Sequence, residues 1–173
     1  MGIRIVHPFV PPARLRASII RTLRENSLCS LATVTPRARA HVSTAYFCWS
    51  PDLQLYFLID ILSVHCRNLR TNPSMALAIF RSNQRWGKPD RGLQLFGNCV
   101  KTRGLETLRA GRLYAKRFPS YAEWMQEVTP KEGLLAERLR TYHFYRFQPR
   151  EIKILDEWQF GGGVVVTARL VRD

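Results

Sequence analysis

Acidic side chains are scarce in this chain of 173 residues. It carries 27 Lys and Arg against 13 Asp and Glu, which gives a net charge of +14. Such an excess attracts polyanions in general, the class to which nucleic acid, acidic membrane surfaces and phosphorylated ligands belong. The cations are spread along the chain without any block of five like charges, a pattern typical of solvated helix faces. Nucleic-acid binding is therefore kept as an alternative to the leading hypothesis.

Long apolar runs are also missing, and none approaches the roughly 20 residues of a membrane helix. The opening MGIRIVHPFVPP lacks the apolar segment of a signal peptide. Gly2 is not followed by the Ser or Thr at the sixth position that favours myristoylation. We therefore expect a cytoplasmic protein that does not engage membranes. The length suits one domain, residues 1–173, with a sizeable core.

Cysteine pairs and catalytic signatures are absent too. The four cysteines form no CxxC pair, so they fit neither a zinc site nor a disulfide framework. Cys29, Cys48 and Cys99 lie in apolar runs and are expected to be buried thiols. The scattered histidines and the lack of a GxSxG elbow argue against a hydrolase or a metal site. The run Gly161–Gly163 lacks the Lys-Ser/Thr of a phosphate-binding loop and is interpreted as a turn.

Three β-type runs stand near the start of the chain, at Leu28–Val34, His41–Trp49 and Leu53–Ile59. Turn signals, Thr35-Pro36 and Ser50-Pro51-Asp52, separate them, so the pattern predicts a meander. Both faces of the middle run carry apolar residues. Such a sheet must cover both faces, which favours a nearly closed barrel or a second subunit.

The remaining elements follow from periodicity and from proline. Residues 1–12 are predicted to form an extended arm, and a helix follows from Ala13 to Asn26 with Leu15, Ile19 and Leu23 on its apolar stripe. Residues 104–140 carry helical patterns, including a short helix after Pro130. Further strands are predicted at 74–80, 93–101, 143–148, 151–160 and 164–170, with Pro149 dividing two of them and a bulge at Gly97.

A short helix from Ser63 to Thr71 is the candidate ligand site. Ser63 is a good N-cap, and Asn72-Pro73 ends the helix. A helix N-terminus offers free backbone N–H groups and positive charge to a phosphate, and His65, Arg67 and Arg70 add donors. The competing interpretation is that Ser63 merely caps the helix and that the arginines are merely solvated.

Several of these segments resemble one known family. SLATV, HVST and LYFLI in the three β-type runs, then SVHCRNLRTNP and RGLQLFG, resemble the pyridoxamine 5'-phosphate oxidase-like FMN-binding split barrels. The resemblance runs from Leu15 to Val100, with a weaker match from Tyr142 onward. KRFPSYAEW is more similar to the general-stress branch than to the true oxidase. The resemblance implies a mainly β (α+β) fold, a six-stranded antiparallel split β-barrel with peripheral helices.

The resemblance also implies FMN held noncovalently at the interface of a homodimer. The phosphate would lie at Ser63, His65 and Arg67, although the family usually has Lys where this chain has His65. The isoalloxazine would lie against two strands, with two residues of the facing subunit at its edge. These remaining candidate cofactor-binding residues are Ala32, Thr33, Val34, Ser43, Thr44, Tyr46, Trp86 and Gln94.

The leading hypothesis is thus an FMN-dependent oxidoreductase in which the cofactor performs the redox chemistry. No catalytic residue is identified. Two alternatives stay open: the same barrel holding a deazaflavin or haem, and a non-enzymatic basic protein that binds polyanions.

Overall fold

The computed structural model describes residues 3–127 and 141–172, which form an antiparallel sheet with peripheral helices. The helices are α1 (Pro12–Glu25), α2 (Val64–Thr71), α3 (Leu105–Arg117), α4 (Pro119–Glu127) and the single turn α5 (Glu157–Phe160). The strands are β1 (Ile3–Val6), β2 (Leu28–Val34), β3 (Ala40–Tyr46), β4 (Cys48–Trp49), β5 (Leu55–Asp60), β6 (Ser74–Phe80), β7 (Arg91–Lys101), β8 (Tyr142–Asp156) and β9 (Val165–Arg172). The predicted helix after Pro130 lies outside the described residues.

The strands follow the order β1-β9-β8-β7-β6-β2-β3, and every pairing is antiparallel. Strand β5 joins the other side of β8 and pairs with the two-residue β4. In the described part of the chain no ladder connects β3 to β5 directly, so the barrel is open there. The predicted antiparallel split barrel with peripheral helices is confirmed, with nine described strands in place of six.

The predicted meander is wrong in its details. The run His41–Trp49 breaks at Phe47, so β3 pairs only with β2 while β4 turns to pair with β5. Leu53 is not in a strand, because its φ of 56° places it in the turn that precedes β5. The break lets one continuous sequence serve two different parts of the barrel wall.

Strand β8 crosses Pro149 without interruption, contrary to the predicted division. Its first half pairs with β5 as far as Phe147, and its second half pairs with β9 from Glu151. Pro149 lies between these two ladders and opposite Gly97 of β7, where the register shifts. A proline is tolerated at a bulge because no ladder hydrogen bond is required of its missing N–H. The predicted bulge at Gly97 is therefore present, whereas residues 157–160 form α5 rather than strand.

The N-terminal segment is not simply an extended arm. Residues Ile3–Val6 form an edge strand that pairs with β9, and the prolines follow it as a connection to α1. Helix α1 begins at Pro12, and Leu15, Ile19 and Leu23 are fully buried, as their spacing predicts. This helix packs against the main core and covers one end of the barrel.

A buried ion network fastens α1 to that end of the barrel. Asp156, at the end of β8, is fully buried and lies 3.2 Å from Nε of Arg91. The Ser18 hydroxyl donates to the same carboxylate at 2.7 Å, and Arg91 also pairs with Glu25 at 3.0 Å. Removing one member of such a network leaves an uncompensated buried charge.

Arg117 connects the second helical layer to α1. Its guanidinium donates to the carbonyls of Leu23 and Asn26 at the C-terminus of α1, where a cation complements the helix dipole. It also lies over the Trp49 ring, 4.2 Å from the centroid. Helices α3 and α4 cover a second apolar cluster, which lies outside the barrel around Tyr56, Tyr114 and Phe144.

The predicted burial of Cys29, Cys48 and Cys99 is confirmed. All four thiols are buried and free. Burial raises the pKa of Cys29 and of Cys48 to about 12 and that of Cys99 still further, so these thiols stay protonated.

Gly97→Ala is expected to destabilise the protein by about 2 kcal/mol or more, the upper range of overpacking costs. The new Cβ would overlap the Gln148 carbonyl and lie 2.8 Å from Cα of Pro149, where the backbone cannot yield cheaply. Gly162→Ala is the matched control, because its Cβ would meet no atom within 4 Å. Urea unfolding measures both, and equal midpoints would contradict the assigned packing.

Candidate functional site

The candidate site is at the start of α2. The Ser63 hydroxyl accepts a hydrogen bond from the backbone N–H of Cys66 at 3.3 Å, as predicted for an N-cap. Just before it, the Leu62 N–H donates to the Asp60 carboxylate at 2.9 Å and fixes the entry into the helix. The first turn of α2 leaves backbone N–H groups without helical partners, which makes this end suitable for an anion.

Two histidines stand beside this helix end. His65 is buried, with 8% of its surface exposed, and its Nε2 lies 3.1 Å from the Ser63 hydroxyl. The His41 ring, on β3, has its centroid 6.4 Å from that of His65. His41 Nδ1 is itself buried and has no hydrogen-bond partner within the described residues. A buried polar atom of this kind is a place where a bound ligand can complete the hydrogen bonding.

The pKa of His65 is lowered, mainly because burial disfavours the imidazolium. Repulsion from His41 acts in the same direction, and the Asp60 carboxylate opposes both. His65 is therefore neutral at pH 7 and acts as a hydrogen-bonding group. A lysine at this position would supply a fixed positive charge instead.

Arg67 supplies a cation close to the helix start. Its side chain is exposed, and Nη1 donates to the Leu62 carbonyl at 2.7 Å, five residues back along the chain. That contact holds the guanidinium near the first turn of α2. Arg70 lies in the last turn and is exposed.

The candidate residues of β2 and β3 divide between the two faces of the sheet. Thr33 and Ser43 share the inner face with His41, because Thr33 pairs directly with His41. The buried Thr33 hydroxyl also accepts a hydrogen bond from Asn68 of α2 at 2.9 Å. On the outer face, in contrast, lie four candidates: Ala32, Val34, Thr44 and Tyr46.

Gln94 lies on the outer face and is exposed. It belongs to the cross-strand row Thr44, Ser30, Ala78 and Gln94, formed by successive register partners. Trp86 is fully exposed in the β6–β7 loop. Within the described chain, nothing brings Trp86 or Gln94 to the start of α2.

Sequence reasoning missed His41 as a site residue. It is the first residue of the recognised HVST segment and occupies the inner face two positions from Ser43. The period of two along a strand could have identified it, because Ser43 was already a candidate. Its closeness to His65 depends on the packing of α2 against β3, which the sequence pattern does not specify.

Neither a metal-binding cluster nor a membrane-spanning helix is found in residues 3–127 and 141–172. These residues contain no group of three or more His, Cys, Asp or Glu side chains placed to hold a metal ion. None of the helices in those ranges combines the length and apolar character needed to cross a membrane.

The open antiparallel barrel, with a Ser-capped helix set against β2 and β3, defines the split-barrel class. The sequence profile of the pyridoxamine 5'-phosphate oxidase family matches residues 16–156, and the chain belongs to this family. The match extends well beyond the segment that resembled the family by its motifs. Among curated proteins no match was found.

Solved structures with similar folds carry different names. A heme binding protein from Mycobacterium smegmatis superposes with a TM-score of 0.67 at 15% identity, over 92% of this chain but 59% of that one. The heme storage protein HutZ from Vibrio cholerae gives 0.61 at 20% identity, over 79% and 90% of the two chains. A Listeria innocua protein provisionally named a pyridoxamine 5'-phosphate oxidase gives 0.60 at 15% identity, over 82% and 98%. At these identities the likeness shows the fold.

Acidification is expected to lower the free energy of unfolding, because the unfolded chain binds a proton at His65 before the folded chain does. The loss begins as pH falls through the ordinary histidine pKa of 6.5 and grows until the lowered folded-state pKa is passed. Urea unfolding between about pH 7.5 and about pH 5.5 measures it, and His65→Gln should show a smaller loss. Identical pH profiles for the two proteins would contradict the assignment. Burial also lowers the pKa of His143. His143 therefore adds the same pH dependence of stability to the unaltered protein and to His65→Gln.

Proposed function

We propose that this chain is an FMN-binding flavoprotein that acts as an oxidoreductase. The observation that carries the proposal is the start of α2, where the Ser63 cap contacts His65, and His65 in turn lies beside His41, whose buried Nδ1 has no partner among the described residues. Family membership supports it, because the same end of this helix is the phosphate position that the resemblance implies. The donors present there fit a phosphate, and the bound flavin would supply the electron-transfer chemistry.

The proposed phosphate site binds through hydrogen bonds more than through charge. The first-turn N–H groups of α2 and the Ser63 hydroxyl would donate to phosphate oxygens, and Arg67 would supply the nearby cation. His65 is neutral, so in place of the lysine's charge it would donate its Nε2–H to the Ser63 hydroxyl, which leaves the hydroxyl proton free for the phosphate. Affinity for the phosphate is therefore expected to be lower than with lysine at this position.

The proposed ring site uses the free edge of β3. In the described chain β3 pairs only with β2, so the backbone groups along its other edge have no ladder partner. Such N–H groups can stabilise negative charge on a reduced flavin. Ala32, Val34, Thr44 and Tyr46 would line the approach, while Thr33 and Ser43 would support it from the inner face.

We further propose that the active form is a homodimer, with Trp86 and Gln94 supplied by the facing subunit. Apolar side chains are exposed on the outer face of the sheet: Leu28, Val34, Val42, Tyr46, Phe80 and Phe96. Val42 is the most exposed of these six side chains, at 66%. Exposed apolar side chains grouped on one face of a sheet mark an interaction site. A second copy covering it would bring the exposed Trp86 to a neighbouring barrel.

Haem is the second candidate ligand. The histidine pair at the start of α2 favours it, since haem iron is commonly bound by an imidazole nitrogen and His41 Nδ1 has no partner among the described residues. The heme binding and heme storage proteins named above share the fold. A Soret band that is lost in His41→Ala would support haem over FMN.

Ser63→Ala is expected to weaken FMN binding about tenfold, through the loss of one hydrogen bond to a charged phosphate. His65→Lys should strengthen FMN binding by a similar factor, because it restores a charged donor. Riboflavin, which lacks the phosphate, should bind equally to both variants and to the unaltered protein. Quenching of flavin fluorescence measures all of these affinities.

The matched control is Ser82→Ala, at a serine exposed in the β6–β7 loop. It should leave both affinities unchanged. If Ser63→Ala alters FMN and riboflavin binding to the same extent, the phosphate does not lie at the start of α2.

Val42→Asp is expected to convert the dimer to monomers, because it buries an unpaired carboxylate in the proposed apolar interface. Leu105→Asp introduces the same charge at the first residue of α3, 83% exposed, and should leave the dimer intact. Sedimentation velocity distinguishes the two states. Dimers that survive Val42→Asp would exclude this face as the interface.

A further inference from the structure

A basic groove lies away from the cofactor site, between α1 and the C-terminal half of α3. Its volume is about 1200 Å³. One wall is a single face of α1 that runs from Ala13 to Arg24, a length of about 16 Å at 1.5 Å per residue. Lys116 and Arg117 of α3 belong to the opposite wall, and Trp49 of β4 lines the groove between them.

The charges in this groove are nearly all of one sign. Arg16, Arg21 and Arg24 project from α1, and Lys116 and Arg117 from α3. Glu25 is the one carboxylate among the lining residues, and it already pairs with Arg91 at 3.0 Å. Like charges held on neighbouring turns repel one another, so a bound anion would relieve an unfavourable arrangement.

Three of the five cations are available to a ligand. Arg117 is committed to the C-terminus of α1 and to the Trp49 ring, and Arg16 donates to the Pro51 carbonyl at 2.5 Å. Arg21, Arg24 and Lys116, in contrast, are exposed and form no ion pair with any residue in the described ranges. Unpaired cations therefore lie on both walls of the groove, on either side of the Arg117 guanidinium that stacks on the Trp49 ring.

We propose that this groove binds single-stranded nucleic acid through its phosphate backbone. A positively charged groove that follows the strand, with an aromatic or guanidinium surface for a base, is the common arrangement in proteins that bind single strands. The groove is larger than the 300 to about 1,000 Å³ typical of small-ligand sites, and its cations extend along the helix. A duplex is a convex rod, so it would present fewer phosphates to a concave surface. The net charge of +14 would steer such a strand toward the protein.

The test compares two triple variants of the full chain. In the groove variant, Arg21→Gln, Arg24→Gln and Lys116→Gln remove the three available charges while keeping residues that favour helices. The control variant removes three exposed cations outside the groove, with Lys101→Gln, Arg103→Gln and Arg169→Gln. Thermal melting checks that both variants remain folded. The probe is a fluorescently labelled mixed-sequence DNA strand of about 20 nucleotides, followed by anisotropy over a salt series.

The groove variant should lose at least about tenfold in affinity at about 50 mM salt, and its slope of log K against log salt should fall by about two. The control variant should stay close to the unaltered protein. Equal losses in both variants would overturn the proposal, because binding would then follow overall charge. Duplex DNA that binds as tightly as the single strand would overturn it as well. So would displacement of the strand by polyglutamate at equal charge concentration, which would assign the groove to acidic peptide.

Discussion

The close approach of β7 to β8 at Gly97 is the constraint on which the rest of the barrel depends. Only a residue without a side chain can lie against Gln148 and Pro149 at this distance. The shift in register there allows one 15-residue strand to pair with β5 along its first half and with β9 along its second. Strand β8 thereby belongs to the barrel wall and to the outer extension of the sheet, which carries the N-terminal edge strand β1.

The barrel built in this way leaves its two ends with different electrostatics. At one end the Arg91–Asp156 pair lies under α1 and is fully committed to structure. Near α2 burial keeps His65 neutral at pH 7, and His41 Nδ1 has no partner in the described chain. Structural charge is thus separated from the groups that remain free to bind a ligand.

Local chemistry made much of this predictable. The apolar spacing of α1, the Ser63 cap and the Gly97 bulge each depend on near neighbours in sequence, and each is present. The errors arose where long-range pairing decides the outcome. Pro149 is tolerated within a strand because β8 changes partners there, and the run His41–Trp49 breaks because β3 and β4 pair with different strands. His41 was missed because its role depends on α2 packing against β3.

The most direct test of the proposed cofactor is the visible absorbance spectrum of the purified protein after incubation with FMN and desalting. Flavin bands are expected to remain, at about one flavin per chain, because the protein supplies the binding site and the cofactor supplies the chemistry. A colourless protein, or one that retains haem and shows a Soret band while releasing all FMN, would contradict it.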